Sequence, residues 1–199
     1  MLNRILLAPI LVLTLALPAA AEKLSLDAIS KYLNGLQSAK ASFTQINDDG
    51  SISKGTIYIK RPGRVRFEYA PPEKALVLAG GGTVAIFDAK SNTPPEQYPL
   101  KRTPLNLILE ANVDLGRRNM VVGHKSDGKT TTVVAQDPEH PDYGTIELVF
   151  TSSPTELRQW IITDGAGGQT TVILGEMEQG GDLPSSLFNI TIESEKRGL

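Results

Sequence analysis

The sequence contains no cysteine, so no disulfide can staple the fold and no thiolate can act as nucleophile or metal ligand. The same absence excludes a lipid-modified N-terminal cysteine, so the chain is not itself a tethered lipoprotein. Histidine is nearly absent. With His124 and His140 alone, the usual nucleophile–base pairs and histidine-rich metal sites have little to build on. No basic run occurs either, and 20 Lys+Arg against 22 Asp+Glu give a net charge of −2, which argues against nucleic acid as a partner. Long apolar runs are missing except for Ile5 to Leu17, which is too short for a comfortable membrane span.

That run has the layout of a cleavable secretory signal: Arg4 precedes it, Pro18 and Ala19-Ala20-Ala21 end it, and the charged Glu22-Lys23 follow. Cleavage after Ala21 is expected, leaving residues 22–199 as one domain of 199 − 21 = 178 residues. An exported chain without disulfides must rely on a core or a closed sheet.

Past the signal, Ser25 can cap a helix whose apolar positions Leu26, Ile29, Tyr32, Leu33 and Leu36 recur at three- and four-residue spacings. From Ala41 the period changes to two. Strands are expected near residues 41–48, 53–60, 64–70, 74–79, 83–88, 96–100, 119–123, 129–135, 144–150, 156–162, 169–176 and 187–192, between Gly, Pro, Asn and Asp clusters. A second short helix is expected from Thr103, as cap, through Pro104 to Leu109, and a helical turn could form from Pro184 to Phe188. There is no fixed-period repeat and no obvious linker. So many short strands with one or two apolar helices leave a sandwich, or one large sheet curled around the helices. Leu105, Leu107, Ile108 and Leu109 make the second helix apolar nearly all round, which favours enclosure in the mouth of a half-open barrel, as a plug or lid.

The hairpin from Gly55 to Tyr69 places one charge on the wrong side. By parity Ile57, Ile59 and Arg61 share one face, with Thr56, Tyr58 and Lys60 on the other. After the turn at Pro62-Gly63, Val65, Phe67 and Tyr69 continue the apolar face, while Arg64, Arg66 and Glu68 point outward. Arg61 is then either a strand-end residue snorkelling to water or a hydrogen-bonding latch at the rim of an apolar surface.

Candidate chemistry elsewhere is thin. His124 reads as an exposed loop residue at a strand end. The run Asp137-Pro138-Glu139-His140-Pro141-Asp142 has metal-binding donors but reads as a solvated loop. Glu176 and Glu178 lack a partner motif. Gly80-Gly81-Gly82 has no following Gly-Lys-Ser/Thr and reads as a hairpin turn. The residues point to a binding protein with no catalytic group, metal or cofactor, and not to an enzyme.

Taken in order, Ala41-Ser42-Phe43-Thr44-Gln45, the whole stretch from Gly55 to Tyr69, Asp88, Pro99-Leu100 and Thr103-Pro104-Leu105 resemble the LolA family of periplasmic lipoprotein carriers. The stretch from Leu157 to Asp164, with Thr170-Thr171-Val172, is similar to the family's second half. The resemblance implies a mainly β, α+β fold: a single antiparallel sheet curled into an incomplete β-barrel, with a helical lid over an apolar cavity. It implies a periplasmic monomer that takes acylated lipoproteins from an inner-membrane ABC-type release complex and carries them toward the outer membrane, where a receptor could receive them. The family's lid arginine corresponds to Arg61, bonding to helix backbone when the cavity is empty. Phe43, Ile57, Ile59, Val65, Phe67, Tyr69, Leu105 and Ile108 are the expected acyl-chain lining. Val84-Ala85-Ile86-Phe87 stands where many members carry a tryptophan, and Val65 and Phe67 replace bulkier aromatics, so a more aliphatic lining is expected. The C-terminal end, Asn189 to Leu199, lacks the family's frequent proline-glycine ending. Rival readings are a lipid-binding or lipoprotein-sensing protein of the same fold, and a periplasmic hydrolase.

Overall fold

The computed structural model describes residues 22–88, 92–116 and 119–199; the expected signal peptide lies outside them. A first helix, α1 (Leu26–Gly35), leads into β1 (Ser38–Ile46), β2 (Ile52–Lys60), β3 (Arg64–Tyr69), β4 (Leu76–Gly80), β5 (Thr83–Phe87) and β6 (Glu96–Pro99). A 3-10 turn, Leu100–Arg102, and a one-turn helix, α2 (Asn106–Leu109), precede β7 (Val121–Ser126), β8 (Thr130–Gln136), β9 (Thr145–Ser152), β10 (Thr155–Thr163) and β11 (Gln169–Gln179). The chain ends in a 3-10 turn, Ser185–Phe188, and α3 (Ile190–Arg197).

The eleven strands of the described residues form one antiparallel sheet in the order β6-β5-β4-β3-β2-β1-β11-β10-β9-β8-β7. The order is two meanders joined where β1 pairs with β11, from Ala39 opposite Gln179 to Ile46 opposite Thr171. The edge strands are β6 and β7, so the sheet is not closed. It is nevertheless curled. Four strand spacings separate β3 from β10, about 19 Å along a flat sheet, yet the rings of Phe67 and Trp160 meet edge-on at 6.2 Å. Only a sheet wrapped around its own concave face brings those strands together. Among the described residues, no helix is long and apolar enough to cross a membrane.

The concave face holds the main core. Alternate residues of β1 to β3 and β8 to β11 turn inward, among them Ala39, Ala41, Phe43, Ile57, Ile59, Val65, Phe67, Leu148, Trp160 and Leu174. The apolar stripe of α1 (Ile29, Leu33) and the buried Leu107, Ile108 and Leu109 of α2 cover it. Ser25 caps α1 as expected, its Oγ accepting the amide of Ala28 at 3.1 Å. Gly55 is where the sheet admits no side chain, because a Cβ there would lie 2.0 Å from the Glu68 carbonyl oxygen and 2.8 Å from the Phe43 ring. Phe43 and Tyr69, its neighbours on either strand, close edge-on over it at 5.2 Å.

Three expectations about these elements fail. The strand expected at 187–192 is helical: Asn189 Oδ1 accepts the amide of Ile192 at 3.0 Å, and Gly198 closes α3 in the left-handed conformation at φ 72°. The Ile190, Ile192 alternation there is a fragment of helix. Thr103 does not cap the second helix; it ends the preceding 3-10 turn, its hydroxyl donating to the Leu100 carbonyl at 2.8 Å, and α2 is a single turn. Arg66, expected in solvent, is only 8% exposed, because the C-terminal segment lies over the convex face of β2 to β5.

That segment makes a second core of Leu76, Leu78, Ala85, Phe87 and Phe188. Its backbone is held by the outward side chains of the β2–β3 hairpin: Lys60 donates to the Leu183 carbonyl and Arg66 to that of Leu187. Arg66 also pairs with Glu68 at 2.6 Å and Glu193 at 3.0 Å, and Arg197 reaches the other oxygen of Glu193 at 2.9 Å. Burial pushes the Glu193 carboxyl up, but the bonds from Arg197 and Arg66 outweigh it and leave the group below the ordinary carboxylate range. A carboxyl depressed on folding contributes stability above its unfolded value, near 4.3, which is lost as pH falls through its lower folded value. Glu193→Gln is expected to cost about 2 kcal/mol at pH 7 and to flatten the acid limb of the stability curve, measured by urea unfolding across pH 3–7.

Candidate functional site

The turn between β2 and β3 is stitched to both helices of the concave side. The Arg61 amide donates to the Gln37 carbonyl just past α1, and the Gly63 amide to the Leu109 carbonyl at the end of α2, both at 2.8 Å. The Arg61 side chain follows the inward parity of Ile57 and Ile59 and is only 5% exposed. Its Nη1 donates to the Leu33 carbonyl, and its Nη2 to the Glu110 carbonyl and, at 3.3 Å, to Asn34 Oδ1. One guanidinium therefore bridges the C-terminal ends of two separate helices.

Local sequence explains the attraction. The last carbonyls of a helix lack intrahelical partners and carry the negative end of its dipole, and α1 has no basic residue in its own last turn. Arg61 supplies that cation from the sheet. The environment costs it something in return: its acceptors are neutral oxygens, burial alone pulls its pKa down, and Nε is buried with no hydrogen-bond partner among the described residues.

Under the bridge lie the expected lining residues. Phe43, Ile57, Ile59, Val65, Phe67, Leu105 and Ile108 are all buried in one cluster, and the half-buried Tyr69 packs against it. The Tyr69 hydroxyl donates to Gln45 Oε1 at 2.7 Å, and burial pushes its pKa up to about 12. Four aromatic rings run through this otherwise mainly aliphatic cluster. Tyr69, Phe43, Phe67 and Trp160 form a chain of edge-to-face rings at 5.2, 5.5 and 6.2 Å. Trp160 was the residue that strand parity left out, because it reaches the cluster from the other half of the sheet.

Between those halves the cluster opens to the surface. A groove of about 480 Å³ runs between Val84 of β5 and Ile162 of β10, floored by Pro104 and Leu105 and rimmed by Arg102, Asp142 and Asp164. The remaining candidates do not join it. His124 lies half-buried within β7, its Nε2 bonded to the Leu24 carbonyl at 2.9 Å, rather than in an exposed loop. His140 stacks on Tyr143 at 4.6 Å, and Asp137 Oδ1 accepts the amides of Glu139 and His140. Among the described residues, no three His, Asp or Glu side chains are grouped to hold a metal.

The profile of the family described as outer membrane lipoprotein carrier protein LolA matches residues 34–191. The chain belongs to the LolA family. An outer-membrane lipoprotein carrier protein of Cupriavidus taiwanensis is 26% identical over 206 aligned positions, spanning 96% of both chains. A second, from Azotobacter vinelandii, is 25% identical over 88% of this chain and 87% of its own. Among solved structures, a domain described as an outer membrane lipoprotein-sorting protein from Vibrio parahaemolyticus shares the LolA-like fold with a TM-score of 0.53. It is 9% identical and covers 85% of this chain and 97% of its own.

Proposed function

We propose that the protein is a periplasmic chaperone that binds the acyl chains of lipoproteins released from the inner membrane and carries them toward the outer membrane. The observation that supports this most directly is the bridge: a single guanidinium holds two helices closed over an apolar cluster that has a surface groove at its edge. Membership of the LolA family and the carrier names of its relatives agree with it.

Physical need shapes the mechanism. A lipoprotein's acyl chains expose dozens of methylenes, each worth roughly 0.8 kcal/mol on burial, so they leave a bilayer only into a comparable apolar environment. In our reading they enter at the groove by Leu105 and spread between the sheet and the helices, against Phe43, Ile57, Ile59, Val65, Phe67, Tyr69 and Ile108. Entry separates α1 from α2 and breaks the Arg61 bonds. The freed guanidinium gains water, including at Nε, which has no partner in the closed form. That gain keeps the closed form only modestly favoured, so cargo can open it and its departure can close it. An ABC-type complex would load the carrier at the inner membrane and a receptor would unload it, with the carrier acting as a monomer and by binding alone. The signal before Glu22 would deliver it to the periplasm.

The test is what accompanies the protein from the periplasm under mild extraction, read by native mass spectrometry. Triacylated lipoproteins are the expected companions, and the mature chain is expected to begin at Glu22. Purely phospholipid-bound or cargo-free protein would count against the carrier reading, and phospholipid alone would favour a lipid sensor.

A further inference from the structure

The polar residues of α1 fall on one stripe, because Asp27, Ser30 and Asn34 are three and four apart. Part of that stripe is turned toward the segment that follows α2. Ser30 Oγ accepts the amide of Leu115 at 3.0 Å. Asn34 pairs with Val113 as a neighbouring strand would, donating Nδ2 to its carbonyl at 2.8 Å and accepting its amide on Oδ1 at 2.9 Å. The same Oδ1 accepts Arg61 Nη2 at 3.3 Å.

The two bonds to Val113 fix the amide's orientation, so oxygen and not NH₂ faces the guanidinium. The other acceptors of Arg61 are main-chain carbonyls, which no substitution removes. Asn34 is thus the side chain through which the strength of the bridge is set. We propose that Asn34 is the positioning residue of the Arg61 latch, holding the guanidinium against α1 and tying it to the 112–115 segment. The proposal rests on the carrier reading of Arg61 and adds to it the group that tunes closure.

The residue type follows from the task. An aspartate here would turn a bond with one charged partner into a buried ion pair, adding Coulomb attraction between opposite charges, so the lid would resist an apolar ligand. An alanine would leave the guanidinium with its two carbonyl acceptors alone and the Val113 amide without the Asn34 oxygen. A neutral, oriented oxygen gives a latch that holds and still yields.

Opposite signs test it. In the empty protein, exchange of the Arg61 guanidinium protons with water, followed by NMR, is expected to be several-fold faster in Asn34→Ala and slower in Asn34→Asp. A residue that only supported α1 would speed exchange in both. With a fluorescent triacylated lipopeptide as probe, Asn34→Asp is expected to weaken binding about tenfold and Asn34→Ala to slow release. If the aspartate variant does not fold, Asn34→Ser keeps a short acceptor, and its exchange rate is expected to fall between wild type and alanine. Equal rates in wild type and Asn34→Ala, or faster exchange in both Asn34→Ala and Asn34→Asp, overturn the proposal. Opposite exchange shifts in a protein that never binds the lipopeptide would sink the carrier reading and leave the positioning of Arg61 by Asn34 standing.

Discussion

Arg61→Leu is expected to fold, to load acyl cargo, and then to hold it. Replacing the guanidinium with an apolar side chain removes a buried cation whose Nε has no partner, a change that is often neutral or stabilising where the charge is desolvated. The closed empty form loses its bonds to the Leu33 and Glu110 carbonyls and to Asn34. The loaded form, in which the proposed opening has already broken those bonds, loses nothing comparable. Hydrogen bonds from a charged donor contribute about 1.5–3 kcal/mol each, and the desolvation of Arg61 offsets much of that, so a net bias on the order of 1.4 kcal/mol, or tenfold, is the conservative figure. Transfer of a labelled lipopeptide from preloaded carrier to acceptor vesicles, followed by stopped flow, should slow by at least that factor. Arg61→Lys should fall between the two, since one ammonium cannot present the planar fork that spans both helix ends. Release of cargo by the leucine variant at the wild-type rate would show that the bridge plays no part in closure.

That prediction began with a parity argument on fifteen residues, and the sheet was readable in the same way. Gly80-Gly81-Gly82 and Asp127-Gly128 do turn between paired strands, and the inward alternation of Ile57, Ile59, Val65 and Phe67 matches their burial. What failed lay where a strand's second face is covered. Arg64, Arg66 and Glu68 look like solvent charges because nothing local says that the C-terminal segment will come to this face; its contacts with Arg66 arrive from 121 and 127 residues downstream. Asn189 before Ile190, Thr191 and Ile192 is equally good as a strand end or a helix cap, and only the packing of Phe188 on Leu76, Leu78 and Phe87 decides it. Gly80 carries the trace of that packing, since a Cβ there would lie 2.1 Å from the Phe188 carbonyl oxygen.

The candidate site shows the same division. The buried strand residues of the cluster could be chosen by alternation, but the acceptors of Arg61 are mainly backbone carbonyls, and every residue has one. No side-chain pattern marks Leu33 or Glu110 for that role. Asn34 did leave a signal, as a polar residue in register with Ser30 beside an apolar stripe, and such positions merit the question of what their hydrogen bonds reach.

Trp160 carries the largest stability effect expected of a single truncation. It is 1% exposed, paired across the sheet with Leu148 and Val172, and set edge-on to Phe67, so it fastens the two halves of the curled sheet. Trp160→Ala should cost about 3–5 kcal/mol, lowering the melting temperature by roughly 10 °C in a chain of this size, while Trp160→Phe should cost distinctly less. The cavity left behind is apolar, and such a space stays dry and accepts hydrocarbon. If acyl chains travel as far as the aromatic chain of Tyr69, Phe43, Phe67 and Trp160, they will fill it, and ligand binding to the folded state alone will restore part of the loss. Saturating lipopeptide should therefore raise the melting temperature of Trp160→Ala by more than it raises that of the wild type. An equal or smaller rise would confine the acyl chains to the groove between Val84, Leu105 and Ile162, and Trp160 would then be a fastener of the sheet with no share in the cargo site.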